Sequence, residues 1–418
     1  MLLVVYTILF SVPLLAILWW IWAHRRLRTL PQAGWWRAAV AVFSLTFLGC
    51  YAWMMASRSM GTGWSPHPWL LAMLMLWGMI FLPFVAIPSA AGWYLWRGVR
   101  RFGLALRRLK RGKRTMKPEA ADRAESTRTD GPAATSDQLV DQSMTRRQLI
   151  AASCIAFPMV ATLGTTVYSI PQKRRFTVRT IEVPIPDLPR ALDGTRIAHI
   201  SDTHVGKFTR GPILDQIAHE TSRLDADLVV MTGDLIDHTV QDLPEALEMI
   251  DKIKTRNPVV TIEGNHDLFD GRSVFRRMVR EHGVSLLLDE SRIVWINDYP
   301  VQLLGIKWHD RQHPIDQHVD IVAERIDRDA FPVLLAHHPH AFDRARDHDI
   351  PLTLAGHTHG GQLMLSSEFG AGPAIFKYWS GLYTKDNNSL VVSNGAGNWF
   401  PLRTNAPAEI VHVILRRS

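Results

Sequence analysis

The sequence predicts an α/β domain of two stacked sheets, preceded by an α-helical membrane region of three to four spans. Three observations carry that expectation. Acidic residues are absent from positions 1–118, long uncharged apolar runs fill the same stretch, and from residue 177 short β-rich runs alternate with amphipathic segments. The two parts differ in charge as well. Residues 1–118 hold 15 Lys and Arg, leaving 32 basic against 39 acidic side chains in the other 300, although the whole chain is +8. The basic balance belongs to the N-terminal third. It does not argue for nucleic-acid binding, because a basic recognition surface would be expected on the folded domain.

Three segments, 2–23, 37–56 and 69–96, are apolar over about the 20 residues a helix needs to cross the hydrocarbon core, with Arg37 at the start of the second their sole charge. Eleven of the 15 tryptophans precede residue 97, several at segment ends (Trp19, Trp20, Trp22, Trp35, Trp36, Trp93, Trp96), as in interfacial belts. A fourth, less hydrophobic stretch covers 149–170. The domains expected are a membrane region at 1–118 with a basic cytoplasmic flank, a polar linker at 119–148, a fourth spanning or signal-like helix at 149–170, and the polar α/β domain at 171–418. The HRRLR loop and the run from Arg97 to Arg114 place residues 24–36 and 97–148 in the cytoplasm by the positive-inside rule. If 149–170 crosses, the domain from 171 onward faces outside. Lys173-Arg174-Arg175 argues mildly against that orientation.

Residues 119–144 are polar, small and without apolar period, as expected of a disordered linker. Thr145-Arg146-Arg147 before an apolar segment resembles a twin-arginine export signal, though it is internal and lacks the ideal Phe-Leu. An ordinary basic flank accounts for it equally. The two cysteines, Cys50 and Cys154, lie in predicted spans, so no thiolate zinc site is available after residue 170.

In the polar half, TVRTIEVPI, TRIAHIS, DLVVMTG, PVVTIEG, VSLLL, VQLLGI, PVLLAHH, LTLAG, LVVSNG and EIVHVIL read as strands. GPILDQIAHETSRL, LPEALEMIDKIK and SVFRRMVREHG read as helices between them, the pattern of βαβ units. Ligands gather at the carboxyl ends of strands in open α/β sheets, and here five strands end in metal-loving residues. They deliver Asp202 and His204, then Asp234, then Asn265 and His266, then His337, then His357 and His359. Glycines flanking the last two let the backbone turn tightly.

The set D-x-H, G-D, G-N-H-D, H and G-H-x-H resembles the calcineurin-like metallophosphoesterase superfamily over roughly 195–415. The tail GAGNWFPLR with APAEI resembles a membrane-associated bacterial phosphodiesterase branch, some of whose members carry twin-arginine signals. The resemblance implies a four-layer αββα sandwich with two mixed sheets and a dinuclear centre. One ion would be held by Asp202, His204 and His359, the second by Asn265, His337 and His357, with Asp234 bridging. His337 is preferred to His338 because L-L-x-H-x-P is the family's usual frame. Oxygen and imidazole donors suit Mn, Fe or Zn without choosing among them.

The expected chemistry is attack on phosphorus by a hydroxide bridging two divalent ions. His266 would protonate the leaving group and Asp267 would orient its imidazole. The expected function is hydrolysis of phosphomonoester, phosphodiester or pyrophosphate bonds at a bacterial inner membrane, on envelope or lipid-linked substrates, with the catalytic domain extracytoplasmic. Two other readings stay open: a cytoplasm-facing pyrophosphatase of a nucleotide-linked lipid precursor, and a membrane sensor or scaffold with an idle domain. Asn394 and Arg403 are open between substrate contact and turn roles, and the His-rich 308–318 stretch between a cap and a surface loop. His199 is expected as a packed strand residue, with Asp237 and His238 as outer support.

Overall fold

The computed structural model describes residues 2–28, 30, 33–59, 66–112, 145–366 and 368–418; of 2–10, 58–59, 108–112 and 147 it describes backbone only. The expected linker falls outside the described residues up to 144. The chain divides into two compact units, Met1–Thr166 and Val167–Ser418.

The first unit is helical: α1 (Leu2–Leu27), α2 (Ala33–Ser59), α3 (Pro68–Met75), a π-helical stretch (Leu76–Ala86), α4 (Ile87–Gly112) and most of α5 (Arg146–Gln172). Its core centres on Trp77, which meets Trp19 and Phe43 edge-on at 4.7 and 4.8 Å. Apolar side chains also point outward, among them Leu14, Val42, Phe84 and Leu95. In water that exposure would be costly; facing lipid it is the expected surface. Among the described residues three helices are long and apolar enough to cross a membrane: Ala33–Ser57, Pro68–Arg107 and Gln148–Gln172. The expected first span, 2–23, lies on α1, part of which is described as backbone only. Thr145 caps α5 reciprocally with Gln148: the Gln148 N–H donates to Thr145 Oγ1 at 3.3 Å and the Thr145 N–H to Gln148 Oε1 at 2.9 Å. That is a capping box, and it gives two residues of the TRRQ stretch a purely local role.

The second unit holds two six-stranded mixed sheets. The first contains β1 (Phe176–Ile185), β2 (Arg196–Ile200), β3 (Leu228–Thr232), β4 (Val260–Ile262), β5 (Ser285–Leu286) and β12 (Ala408–Arg417), in the order β1-β12-β2-β3-β4-β5. The second contains β6 (Glu290–Ile296), β7 (Tyr299–Gly305), β8 (Phe331–Leu335), β9 (Leu352–Ala355), β10 (Gly381–Lys385) and β11 (Asn388–Val392), in the order β10-β11-β9-β8-β7-β6. Strand alternation builds the layers. Ile197, Val230, Leu303, Val333 and Leu335 turn into the core between the sheets. Their neighbours Ala198, Val229 and Met231 meet the apolar faces of α6 (Pro212–Arg223), α7 (Leu243–Asp251) and α8 (Arg272–His282). Leu304 and Leu334 meet α9 (Gln312–Ala323) and α10 (Ala341–Asp347). Helix, sheet, sheet and helix are the four layers expected.

The strand expected over VSLLL pairs only at Ser285–Leu286. Two edge strands, β6 and β10, go beyond the sequence expectation. Each joins its neighbour through a two-residue turn of left-handed residues: Asn297 and Asp298 (φ 49° and 59°), and Asp386 and Asn387 (φ 49° and 66°). Such turns match the strand twist and favour Asn and Asp.

Candidate metal centre

The ends of β2, β3 and β4 in one sheet and of β8 and β9 in the other bring their loops to a common rim. Asp202 and His204 follow β2, Asp234 follows β3, Asn265 to Asp267 follow β4, His337 follows β8, and His357 and His359 follow β9. The backbone there is unusual. Asp202, His204, Asp234, His357 and His359 have φ of 52°, 44°, 53°, 72° and 51°. A non-glycine residue in such a region costs about 1–3 kcal/mol and persists only where neighbours over-determine it. The loops do so mutually: Asp202 N–H donates to Gly233 O at 3.0 Å, His204 N–H to Asp234 O at 3.0 Å, and His357 N–H to Asp202 Oδ2 at 3.0 Å. Two glycines are needed for room rather than for φ. A Cβ on Gly356 would run into Ser201 and the Asp202 carboxylate, and one on Gly264 into the Asp234 carboxylate.

Side chains converge in three overlapping groups whose ligand atoms lie within 4.8 Å: Asp202 with His204 and His359; His204 with Asp234 and His266; and Asp234 with His337 and His357. In the first, His204 Nε2 and His359 Nε2 are 2.9 Å apart, and His359 Nε2 is 3.2 Å from Asp202 Oδ1. In the last, His337 Nε2 is 3.1 Å from Asp234 Oδ2, and His357 Nδ1 is 3.3 Å from His337 Nε2 and 3.1 Å from Asn265 Oδ1. Asp234 Oδ2 is also 3.5 Å from His204 Nε2, so its carboxylate lies between the two clusters. His337 Nδ1 donates to the Thr232 carbonyl at 2.6 Å, which turns Nε2 inward. His338 instead lies against Trp308, His340 and His357, outside these groups.

The electrostatics fit a pair of cations. Burial works against charge on Asp202, yet His359 and His337 hold its carboxyl well below the ordinary range. Burial likewise opposes a proton on His204, but Asp202, Asp237 and Asp234 push it up to about 10. Asp234 and Asp202 overcome burial to push His337 up to about 9. Burial pushes His359 and His357 down, to about 4 and about 3. The buried carboxylates of each cluster thus favour positive charge beside them, a demand that opposes their burial. A donor set of oxygens and imidazoles with that demand suits one divalent ion per cluster.

One expected contact is absent. Asp267 does not orient His266. Its buried carboxylate accepts the N–H groups of Gly264 at 2.8 Å and Ile236 at 3.0 Å, tying the β3 and β4 loops together. His266 and Asp267 are consecutive on a 3₁₀ turn (His266–Leu268), where neighbouring side chains point about 120° apart. His266 Nδ1 is instead 2.5 Å from the carbonyl of Asp237 and 3.4 Å from its carboxylate. The G-D-x-x-D spacing was the available signal. His238 meets Phe269 and not the ligands.

Other residues sort as follows. Arg403 is fully buried: it donates to the Asn398 side chain at 2.7 Å and the carbonyls of Asn394, Ala406 and Gly397, with Nη2 3.0 Å from His359 Nδ1. Asn394 is buried and accepts from Ser380 Oγ at 2.6 Å. Both are tied into the protein by these internal bonds. In the His-rich stretch α9 takes over from Gln312, and Trp308 alone reaches the centre, its ring 4.9 Å from His357 and 5.2 Å from His337. Phe269 and Trp399 flank His266 at 4.6 and 6.0 Å. Sequence reasoning passed over Trp308, Phe269 and Trp399. His199 is packed, its Nε2 2.8 Å from Thr232 Oγ1.

A family model described as calcineurin-like phosphoesterase matches residues 195–361. A transmembrane protein with metallophosphoesterase domain from Danio rerio is 27% identical over 310 residues, covering 67% of this chain and 68% of that one. An uncharacterized metallophosphoesterase of Helicobacter pylori J99 is 26% identical over 225 residues, 53% of this chain and 59% of that one. The YkuE metallophosphoesterase of Bacillus subtilis is 26% identical over 290 residues, 66% of this chain and 99% of that one. This chain therefore spans less than two-thirds of the Helicobacter relative. With the Asp and His set intact, the second unit is similar to calcineurin-like phosphoesterases over residues 195–361.

Proposed function

We propose that this calcineurin-like metallophosphoesterase is a membrane-anchored hydrolase of phosphate esters whose substrates belong to the cell envelope or carry lipid. The observation that supports it best is the meeting of seven donor residues from five strand ends at one rim, on a chain with three helices fit to span a bilayer. Asp202, His204 and His359 would hold one divalent ion, and Asn265, His337 and His357 the second, with the Asp234 carboxylate shared. Mn, Fe or Zn suit the donors. Such an ion pair, when bound, supplies positive charge to the phosphoryl oxygens and lowers the pKa of a water nucleophile.

The remaining steps belong to the protein. The His266 Nδ1–H donates a hydrogen bond to the Asp237 carbonyl, which fixes the ring and leaves Nε2 as the atom that delivers a proton to the departing oxygen. The Asp237 carboxylate lies 3.4 Å from the same ring and helps hold its orientation. Trp308, Phe269 and Trp399 wall the rim and limit water around it.

The chain resembles a membrane-associated bacterial branch of the superfamily, and the positive-inside count supports a catalytic domain on the outer face of the inner membrane. Lys173-Arg174-Arg175 directly after α5 favours a second reading, in which the domain faces the cytoplasm and cleaves a nucleotide-linked lipid precursor. Alkaline phosphatase fused after Ser418 is expected to be active; an inactive fusion with fluorescent GFP at the same position supports the cytoplasmic reading. Hydrolysis itself is tested with purified full chain, bis-p-nitrophenyl phosphate and added Mn, Fe or Zn after chelation. Tightly held metal without turnover of any phosphate ester would favour the idle scaffold.

A further inference from the structure

Leu365, Phe369 and Ile375 are 73%, 68% and 69% exposed, and none of them touches the ion clusters. Backbone hydrogen bonds close the base beneath the first two. Leu365 and Ser366 donate N–H groups to the Phe369 carbonyl at 2.8 and 3.1 Å, and Ala371 N–H reaches Leu363 O at 3.0 Å. Met364 and Gly370 form an antiparallel bridge across the base. The base presses on the loop of the metal rim, since a Cβ on Gly361, two residues past His359, would strike the Gly372 backbone. Large apolar side chains exposed together in one stretch are the kind of surface that binds a partner or a membrane.

The far side of the same base meets the end of α5. Asn405 Nδ2 donates to the carbonyls of Met364 at 3.0 Å and Leu365 at 3.1 Å. Asn405 also accepts from the Tyr168 hydroxyl at 3.2 Å and gives its N–H to Gln172 Oε1 at 2.9 Å. Ser169 Oγ lies 2.5 Å from Thr404 Oγ1. Tyr168, Ser169 and Gln172 close α5, the helix whose 148–172 stretch is apolar enough to cross a membrane. Just beyond, the Lys173 carbonyl accepts from Asn398 at 3.5 Å, next to Trp399, whose ring is 6.2 Å from His359. Turn, helix end and rim are joined through single residues.

We propose that the Leu365, Phe369 and Ile375 surface seats in the interfacial layer of the bilayer from which α5 emerges, and that the rim takes its phosphate from an amphiphile lying in that bilayer. The substrate part rests on the phosphoesterase reading above. Lys173, Arg174 and Arg175 at the helix exit suit anionic head groups. Exposed Glu368 on the same turn keeps the seat at head-group depth, because a carboxylate is costly in hydrocarbon.

The test uses the full chain with Cys50 and Cys154 replaced by Ala and a single Phe369→Cys or Arg223→Cys labelled with bimane. It is reconstituted in phosphatidylcholine and phosphatidylglycerol vesicles containing nitroxide lipid. Quenching about twofold stronger at 369 than at 223 is expected for a label at the interface; equal quenching overturns the seat. Replacing Leu365, Phe369 and Ile375 together by Ser should slow a long-chain nitrophenyl phosphodiester embedded in vesicles by about tenfold and leave bis-p-nitrophenyl phosphate unchanged. Equal loss on both esters, or none on the embedded one, overturns the substrate class. If the parent chain cleaves neither ester, the hydrolase reading fails while the quenching result still judges the seat.

Discussion

The two ion clusters share donor types but differ in enclosure. Asp202, His204 and His359 are all buried, with Ser201 donating to Asp202 at 2.5 Å, Asp237 3.6 Å from His204 and Arg403 behind His359. In the other cluster His357 and Asn265 are only half-buried, and the Trp308 ring is the wall beside them. Groups behind a ligand fix its orientation and raise affinity. If each cluster holds an ion, the enclosed one is expected to retain it and the open one to exchange it.

The largest effect should come from the residue that belongs to both. Asp234→Asn is expected to lower turnover of bis-p-nitrophenyl phosphate by about 10³-fold and to reduce bound metal measured by atomic emission. A variant that kept two ions and full rate would erase the distinction between shared and single-cluster ligands. Next, chelation should proceed in two phases, with one equivalent lost quickly and one slowly. His357→Ala should abolish the fast phase alone, and a single-phase loss in the parent would show the clusters to be equivalent. Third, His266→Ala should keep both ions and slow alkyl esters by about 10²-fold while p-nitrophenyl esters change little; equal loss on both classes counts against proton delivery. The smallest effect belongs to Asp267→Asn, expected to cost about 1 kcal/mol of stability by weakening one of two backbone bonds. Its dependence on the leaving group should stay that of the parent, and a leaving-group dependence like that of His266→Ala would restore Asp267 as the orienting residue.

The same contrast explains what could be read from sequence. The donors were legible because each follows its strand within a few residues, and glycine marks where the backbone must turn or make room. Their support was not. Arg403 meets His359 across 44 positions, and Asp267 reaches Ile236 across 31, contacts fixed by sheet order. The choice between Asp237 and Asp267 beside His266 turned on the 3₁₀ geometry of three residues, which adjacency in sequence misrepresents. At the fold level the buried strands were evident from their apolar runs. The edge strand β6 was obscured because Ile293 and Trp295 face outward, 42% and 63% exposed, which blurs the alternation a half-buried strand should show. The Asn-Asp and Asp-Asn turns were a visible hairpin signal passed over.

One feature of the first sheet bears on biogenesis. β12 lies between β1 and β2, pairing Phe176 with Ala408 in parallel and Val411 with His199 antiparallel. More than 200 residues separate those partners, so β2 lacks a neighbour on one side until residues 408–417 have left the ribosome. The earlier strands must wait, half assembled, for the segment that completes them. The sheet that carries Asp202, Asp234 and Asn265 is consequently completed only once residues 408–417 are available, after every donor has already been made.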